Sequence, residues 1–226
     1  MLEYKVASVD SVIIYFANFI SKENVKLVQQ NYISLKKLNN KGLIDITPSY
    51  TSILIHYDLQ YFSYKKIIEF LDENIALKTD VTQEEGRLVE VPIYYDEEVG
   101  FDLQRISQLA KLSIKDIIEL HSSTKYSVYT IGFLPGFAYL GEVDEKIATP
   151  RLESPRSKIP KGSLGIADNQ SAIYPVESPG GWNIIGRTYL DMFDKNIEGF
   201  SYLSVGDIVK FKPITRDEYI KNGGVI

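Results

Sequence analysis

Apolar positions change period twice within the first third of the chain. Residues 2 to 19 alternate or run apolar with β-branched side chains (Val6, Val12, Ile13, Ile14, then Tyr15 and Phe16), broken at Asp10-Ser11. That spacing predicts a pair of strands. Val25, Val28, Tyr32, Leu35 and Leu38 then fall three and four apart, one face of a helix that Ser21 caps and Asn39-Asn40-Lys41-Gly42 stops. Leu43 to Ile46 and Ser52 to Tyr57 read as two further strands, and Tyr64 to about Leu77 as a second helix. The predicted order is β-β-α-β-β-α.

Lys78 to Gly86 is polar and ends in Gly, which suits a linker between domains rather than a buried segment. We therefore expect an N-terminal α+β domain over 1–85 and a second domain over 86–226. The second opens with a strand from Arg87 to Tyr95 and two short helices, Leu103 to Lys111 and Ile114 to Leu120, the latter started by Ser113 and Asp116. From Tyr126 onward no helical period survives. Eight of the 15 Gly and six of the 9 Pro lie between Gly132 and Gly186, a density that breaks long helices and punctuates short strands. The fold class is α+β, with a β-barrel or sandwich as the larger part.

Charge and composition narrow the chemistry. The net charge is -5, with 25 basic residues scattered among 30 acidic ones, so no basic stripe marks a nucleic-acid partner. With no Cys and only His56 and His121, disulfide scaffolds, thiolate catalysis and the usual zinc sites are excluded; no metal site is seen in the sequence, and a metal held purely by carboxylates is the alternative left open. No run of 18 apolar residues and no signal-peptide pattern is present, which predicts a cytoplasmic chain without a membrane span. Gly-x-Ser-x-Gly, His-Glu-x-x-His and Walker A motifs are missing too.

Three segments carry candidate chemistry. Gly132-Phe-Leu-Pro135-Gly136-Phe-Ala-Tyr139-Leu-Gly141 sets rings among glycines, which either admit a ligand close to backbone or relieve a barrel corner. Thr149 to Gly162 holds Arg151 and Arg156 on a segment stiffened by proline, and Arg187 follows; only six Arg occur against 19 Lys. Arg's planar fork suits carboxylate or phosphate, the alternative being surface ion pairs. Tyr174 to Thr188 carries Ser178-Pro-Gly180-Gly181-Trp182. Its adjacent glycines predict an anion-binding nest, and Trp182 reads as a ligand cover or a core anchor. His121, at a helix C-terminus, reads as a charged C-cap or a general acid.

Taken together, Gly132-Phe-x-Pro-Gly136-Phe-x-Tyr-Leu-Gly141, Thr149-Pro-Arg151, Pro155-Arg156, Ile159-Pro-x-Gly162-Ser, Gln170, Ile173-Tyr-Pro, Ser178-Pro-Gly-Gly-Trp182 and Ile185-Gly-Arg-Thr188 closely resemble the family of 5-oxoprolinase B subunits, also called KipI or allophanate hydrolase subunit 1. Val91-Pro-Ile-Tyr-Tyr, Phe101-Asp-Leu and Leu120-His121-Ser extend the likeness upstream. Lys161, Asp168 and Ser171-Ala172 depart from it, where a small residue, Gly and Thr-Gly are usual.

The resemblance implies a ferredoxin-like N-terminal domain and a cyclophilin-like barrel. It implies work as one member, inactive alone, of an ATP-using complex that cleaves 5-oxoproline to L-glutamate. The partners would be the KipA-like C subunit of that complex and its A subunit, a lactam-utilisation protein. Alternatives within the family are inhibition of a sensor histidine kinase and a part in a biotin-dependent urea carboxylase, although no biotin site is seen here. Laid over the resemblance, residue chemistry makes His121 a proton donor and Arg156 or Arg187 an anion clamp. Gln170 and Tyr174 would orient substrate, and the Gly180-Gly181 amides would hold an oxyanion. Gly132, Pro135, Gly136, Tyr139, Arg151, Ser178 and Trp182 complete the expected site.

Overall fold

The structure, a computed structural model, describes residues 2–78, 86–197 and 199–226. Most of the expected linker, 79–85, lies outside the described residues. The chain forms two compact units, one up to Glu84 and one from Glu85 on.

The first unit is a four-stranded antiparallel sheet with two helices. Its strands are β1 (Glu3–Ser8), β2 (Ser11–Tyr15), β3 (Leu43–Pro48) and β4 (Ser52–Tyr57), in the order β1-β2-β4-β3, with α1 (Lys22–Lys37) after β2 and α2 (Tyr64–Asn74) after β4. Ser21 caps α1 through the Asn24 amide, and Asn39 takes a left-handed φ of 46° just past its end. Ser63 caps α2 in the same way, through the Lys66 amide. Val12 and Ile14 of β2 and Ile53 and Ile55 of β4 bury against Val28 and Leu35 of α1 and Ile67 and Leu71 of α2 in one core. The alternation read along β2 and β4 is this division between helix-covered and open faces.

The second unit is built on a closed seven-stranded barrel. Its strands are β5 (Leu88–Tyr94), β6 (Lys125–Ile131), β7 (Ala138–Gly141), β9 (Ser163–Ala167), β10 (Gln170–Ile173), β12 (Asn183–Arg187) and β13 (Ile208–Ile214), running β10-β7-β6-β13-β5-β12-β9 and back to β10. Only β5 and β13 pair parallel among these neighbours. A small ladder, β8 (Arg156–Ile159) with β11 (Ser178–Gly180), lies outside the ring. Val91, Ile93, Tyr126, Val128, Leu140, Leu164, Ile166 and Phe211 fill the core together with Leu103 and Ile106 of α3 (Leu103–Ala110) and Ile117 of α4 (Ile114–Ser123).

Ser113 and Asp116 close a reciprocal capping box at the start of α4. A further helix, α5 (Arg216–Lys221), contradicts the expectation that none follows Tyr126. Six residues are too few to show a helical period, and its start rests on the Thr215 cap.

Candidate functional site

One turn and a set of ring contacts bring the glycine-rich loop and the Ser-Pro-Gly-Gly-Trp segment into one neighbourhood. Leu134-Pro135-Gly136-Phe137 is closed by the Phe137 amide donating to Leu134 O at 3.0 Å, with Gly136 at φ 82°, the geometry Pro-Gly supplies in a type II turn. Phe137 is thereby delivered to an aromatic cluster, edge-on to Tyr139 (4.9 Å), Tyr174 (5.3 Å) and Trp182 (5.7 Å). Phe133, at a left-handed φ of 70° and 64 % exposed, stands edge-on to Phe137 from the solvent side. The exposed Arg151 places its guanidinium 5.7 Å from the Trp182 ring, within cation–π reach.

Trp182 itself is 5 % exposed, so the core-anchor alternative is the one realised, with one ring face left to Arg151. Tyr174 is buried and desolvation lifts its hydroxyl to about 12, the Trp182 backbone amide and the charges of Arg151 and Arg156 opposing that rise. Burial likewise raises Tyr139, against the pull of Arg151. Both phenols stay protonated at neutral pH and act as hydrogen-bonding groups rather than as bases.

Of the residues singled out from the sequence, Tyr139, Arg151, Tyr174 and Trp182 thus meet, with Gly132, Pro135 and Gly136 in the adjoining loop. Gly132 has open space where a side chain would point, whereas a Cβ on Gly136 would lie 2.5 Å from Met192 O. The second glycine therefore makes room for protein, not for ligand.

The expected nest is overturned. Gly180 lies in β11 opposite Arg156 of β8, and neither Gly180 nor Gly181 has a positive φ, so the alternating helical-hand backbone that converges amides never forms. The two glycines are spacers: a Cβ on Gly180 would sit 2.2 Å from the Tyr174 hydroxyl oxygen, and Gly181 O accepts the Leu152 amide at 2.8 Å. Ser178 is buried there, and its hydroxyl meets no partner among the described residues.

Arg156 is not free to clamp a ligand with its end-on fork. Its Nη1 and Nη2 grip the buried Asp102 at 2.9 and 2.8 Å, and the Asp102 carboxylate also accepts the Ile184 amide at 2.7 Å. The pair ties β8 to the start of α3 and to β12. Arg187 is buried on β12, donates from Nη1 to Val225 O at 2.9 Å and lies 5.8 Å from the Phe101 ring, which faces Arg156 at 5.9 Å.

His121 requires the other correction. It is fully buried, and desolvation lowers it to about 3, opposite to the rise expected from the helix end. The C-cap is Thr124, and the imidazole turns into the core, 4.8 Å from the Phe211 ring. Ser171 Oγ donates to Gly165 O at 3.2 Å, so it accepts from His121 Nε2 at 3.1 Å, and Nδ1 accepts the Tyr95 hydroxyl at 2.8 Å. A neutral, fully bonded histidine in the core is no general acid for a solvent-borne substrate. Gln170 opens β10 opposite Gly141, two positions from Ala172 and so on the face of β10 that Ala172 turns toward the aromatic cluster.

Phe101, Asp102, Tyr95 and Ser171 had no role from the sequence. Phe101-Asp-Leu stood within the resemblance, but a carboxylate's burial is not visible in one chain. The departures from the family pattern also find reasons. Asp168 adopts φ 52°, a left-handed conformation that Gly takes freely and Asp tolerates. Lys161 precedes Gly162 (φ 79°) in a turn closed by the Ser163 amide on Pro160 O, with its ammonium on Asp191. Ser171 retains the hydroxyl that His121 needs, which a Thr would also offer.

No cluster of three His, Cys, Asp or Glu able to hold a metal occurs among the described residues, and none of their helices is long and apolar enough to cross a membrane.

Together these features define a chain whose larger unit is a closed barrel bearing a buried aromatic cluster with the exposed Arg151 over Trp182. Residues 2–203 match the carboxyltransferase domain, subdomains C and D, and the chain belongs to that family and, within it, to the B subunits of 5-oxoprolinase. It is 38 % identical over 189 residues to the 5-oxoprolinase B subunit of Bacillus subtilis, covering 79 % of this chain and 78 % of that one. The Haemophilus influenzae protein of the same name is 36 % identical over 76 % of this chain and 80 % of its own. Among solved structures, TTHA0988 superposes with a TM-score of 0.80 at 30 % identity over 90 % of this chain, which spans 40 % of that longer protein. The Kluyveromyces lactis urea amidolyase shares the fold at 17 % identity and a TM-score of 0.73, over 97 % of this chain and 15 % of its own.

Proposed function

We propose that this chain is the B subunit of an ATP-dependent 5-oxoprolinase that opens the lactam of 5-oxoproline to L-glutamate. The observation that carries the reading is its identity of 36 to 41 % with three proteins named as 5-oxoprolinase B subunits. The partners are a KipA-like C subunit and a lactam-utilisation protein as the A subunit, in the cytoplasm, and the chain alone is inactive. We read the smaller unit as ferredoxin-like with its last strand moved to the front, supported by the order β1-β2-β4-β3, and the barrel as cyclophilin-like.

Lactams resist water because the nitrogen lone pair is delocalised into the carbonyl. Transfer of the γ-phosphoryl group of ATP to the lactam oxygen gives an imidoyl phosphate. Water then adds at that carbon, the C–N bond breaks with the proton going to nitrogen to give an acyl phosphate on the side-chain carboxyl, and a second water releases phosphate to leave glutamate. In this reading the aromatic cluster packs the apolar ring of the substrate, and Arg151 supplies positive charge where phosphate develops. No helix of the described residues is opened by a glycine-rich loop, the arrangement that cradles nucleotide phosphates, so we assign ATP to a partner protein of the complex.

The test is 5-oxoproline-dependent ATP hydrolysis and glutamate release by this chain co-expressed with its genomic neighbours. Activity should require this chain and fall about 10- to 100-fold in Arg151→Ala, the scale of one lost charge contact. Turnover by the isolated chain, or a response to urea but not to 5-oxoproline, would overturn the reading.

A further inference from the structure

We propose that Arg187 anchors a second ligand site, for a small carboxylic acid, on the outer wall of the barrel. Arg87, Arg156 and Arg216 each meet a carboxylate (Asp207, Asp102 and Glu98), Arg105 meets the Asn183 amide oxygen, and Arg151 is exposed. Arg187 alone among the six is 6 % exposed with no carboxylate at ion-pair distance among the described residues. A guanidinium keeps its charge at every physiological pH. Burying that charge against only Val225 O, the Tyr219 hydroxyl and the Phe101 ring leaves it uncompensated.

The donor left over on Arg187 points to the shape of the missing group. Nη1 is taken by Val225 O, which also accepts the Tyr219 hydroxyl at 2.9 Å, while Nε, fully buried, has no partner. Nε and Nη2 form the side-on fork that matches the two oxygens of a planar carboxylate. Across the β9–β12 ladder Ser163 is the register partner of Arg187; it is 0 % exposed, and its hydroxyl has no partner either. Leu164 and Ile166 fill the barrel core, so by strand alternation Ser163 and Arg187 turn to the outer face together. Two unsatisfied donors thus occupy register-paired positions of one face, where a single acceptor would serve both.

The site can open from outside. Its roof is Phe101, 44 % exposed, and the segment of Val225, itself 72 % exposed and set past the left-handed Gly223. An incoming carboxylate takes the Nε edge and the Ser163 hydroxyl while Phe101 keeps the guanidinium face. Naming 5-oxoproline as this acid rests on the function proposed above; carboxylate binding at Arg187 does not.

The experiment titrates the full chain, 15N-labelled at arginine, with L-5-oxoproline, its carboxamide and inorganic phosphate at constant ionic strength, following the Arg187 Nε–H resonance. Arg187→Lys assigns the signal and removes the fork. If that variant fails to fold, assignment comes from the Phe101→Leu shift, and Ser163→Ala, which only deletes a hydroxyl, should bind about tenfold more weakly. We expect a saturable shift and slowed exchange with the acid and none with the carboxamide. No shift with the acid, an equal shift with the carboxamide, or phosphate binding as tightly as the acid would each overturn the proposal. A complex that cleaves 5-oxoproline although Arg187 binds no acid retains the 5-oxoprolinase reading and loses only this site. Acid binding in a chain that supports no cleavage does the reverse.

Discussion

Burial gives His121 a measurable signature. An unfolded histidine titrates near 6.5, whereas the folded one is held neutral down to about 3, so between those values the unfolded chain binds the extra proton. The stabilisation is complete above about pH 6.5 and is lost as the pH falls toward 3, at about 1.4 kcal/mol per pH unit. Denaturant melts of the wild type and His121→Gln across pH 4 to 7 (about the window of that titration) should show a flatter profile in the variant. Equal slopes would remove His121 as the cause. The same residue marks a limit of reading the chain alone. Its place at a helix end suggested a charged cap, yet the direction in which the imidazole points is set by Phe211, Tyr95 and Ser171, distant in sequence.

Between elements, the Asp102–Arg156 pair is the clearest joint, because one buried carboxylate satisfies a guanidinium on β8 and an amide on β12 from just before the first turn of α3. Asp102→Ala should destabilise the protein by about 2–4 kcal/mol, stranding both donors. Asp102→Asn should recover part of that loss because an amide oxygen still serves Ile184. Chemical denaturation of the two variants checks the order, and equal losses would show that the charge alone matters. An Arg156 substitution would report on this joint as much as on any ligand, so it is a poor probe of catalysis. The elements themselves were largely legible, since α1, α2 and α4 carry both their apolar faces and their capping residues in sequence. The six residues of α5 hold no such signal.

The barrel closes through pairs such as β9 with β10 and β5 with β13, and its core draws on residues of the second unit throughout. A closed sheet leaves no edge awaiting a partner. Expressed alone, 86–226 should therefore give a single cooperative thermal transition with β-rich circular dichroism; a broad, non-cooperative melt would show that the barrel depends on the first unit. Local pattern along this chain was enough to determine the α+β class, most element positions and a family likeness, because period, caps and turn residues act between near neighbours. Only the tertiary structure decided which polar residues are free. It bound Arg156 to Asp102, buried His121 as a neutral imidazole, set Gly180 at the end of a strand with neither it nor Gly181 in the left-handed region, and left Arg187 without a counter-charge among the described residues. Burial and pairing are properties of residues brought together from distant parts of the chain, and no local spacing encodes them.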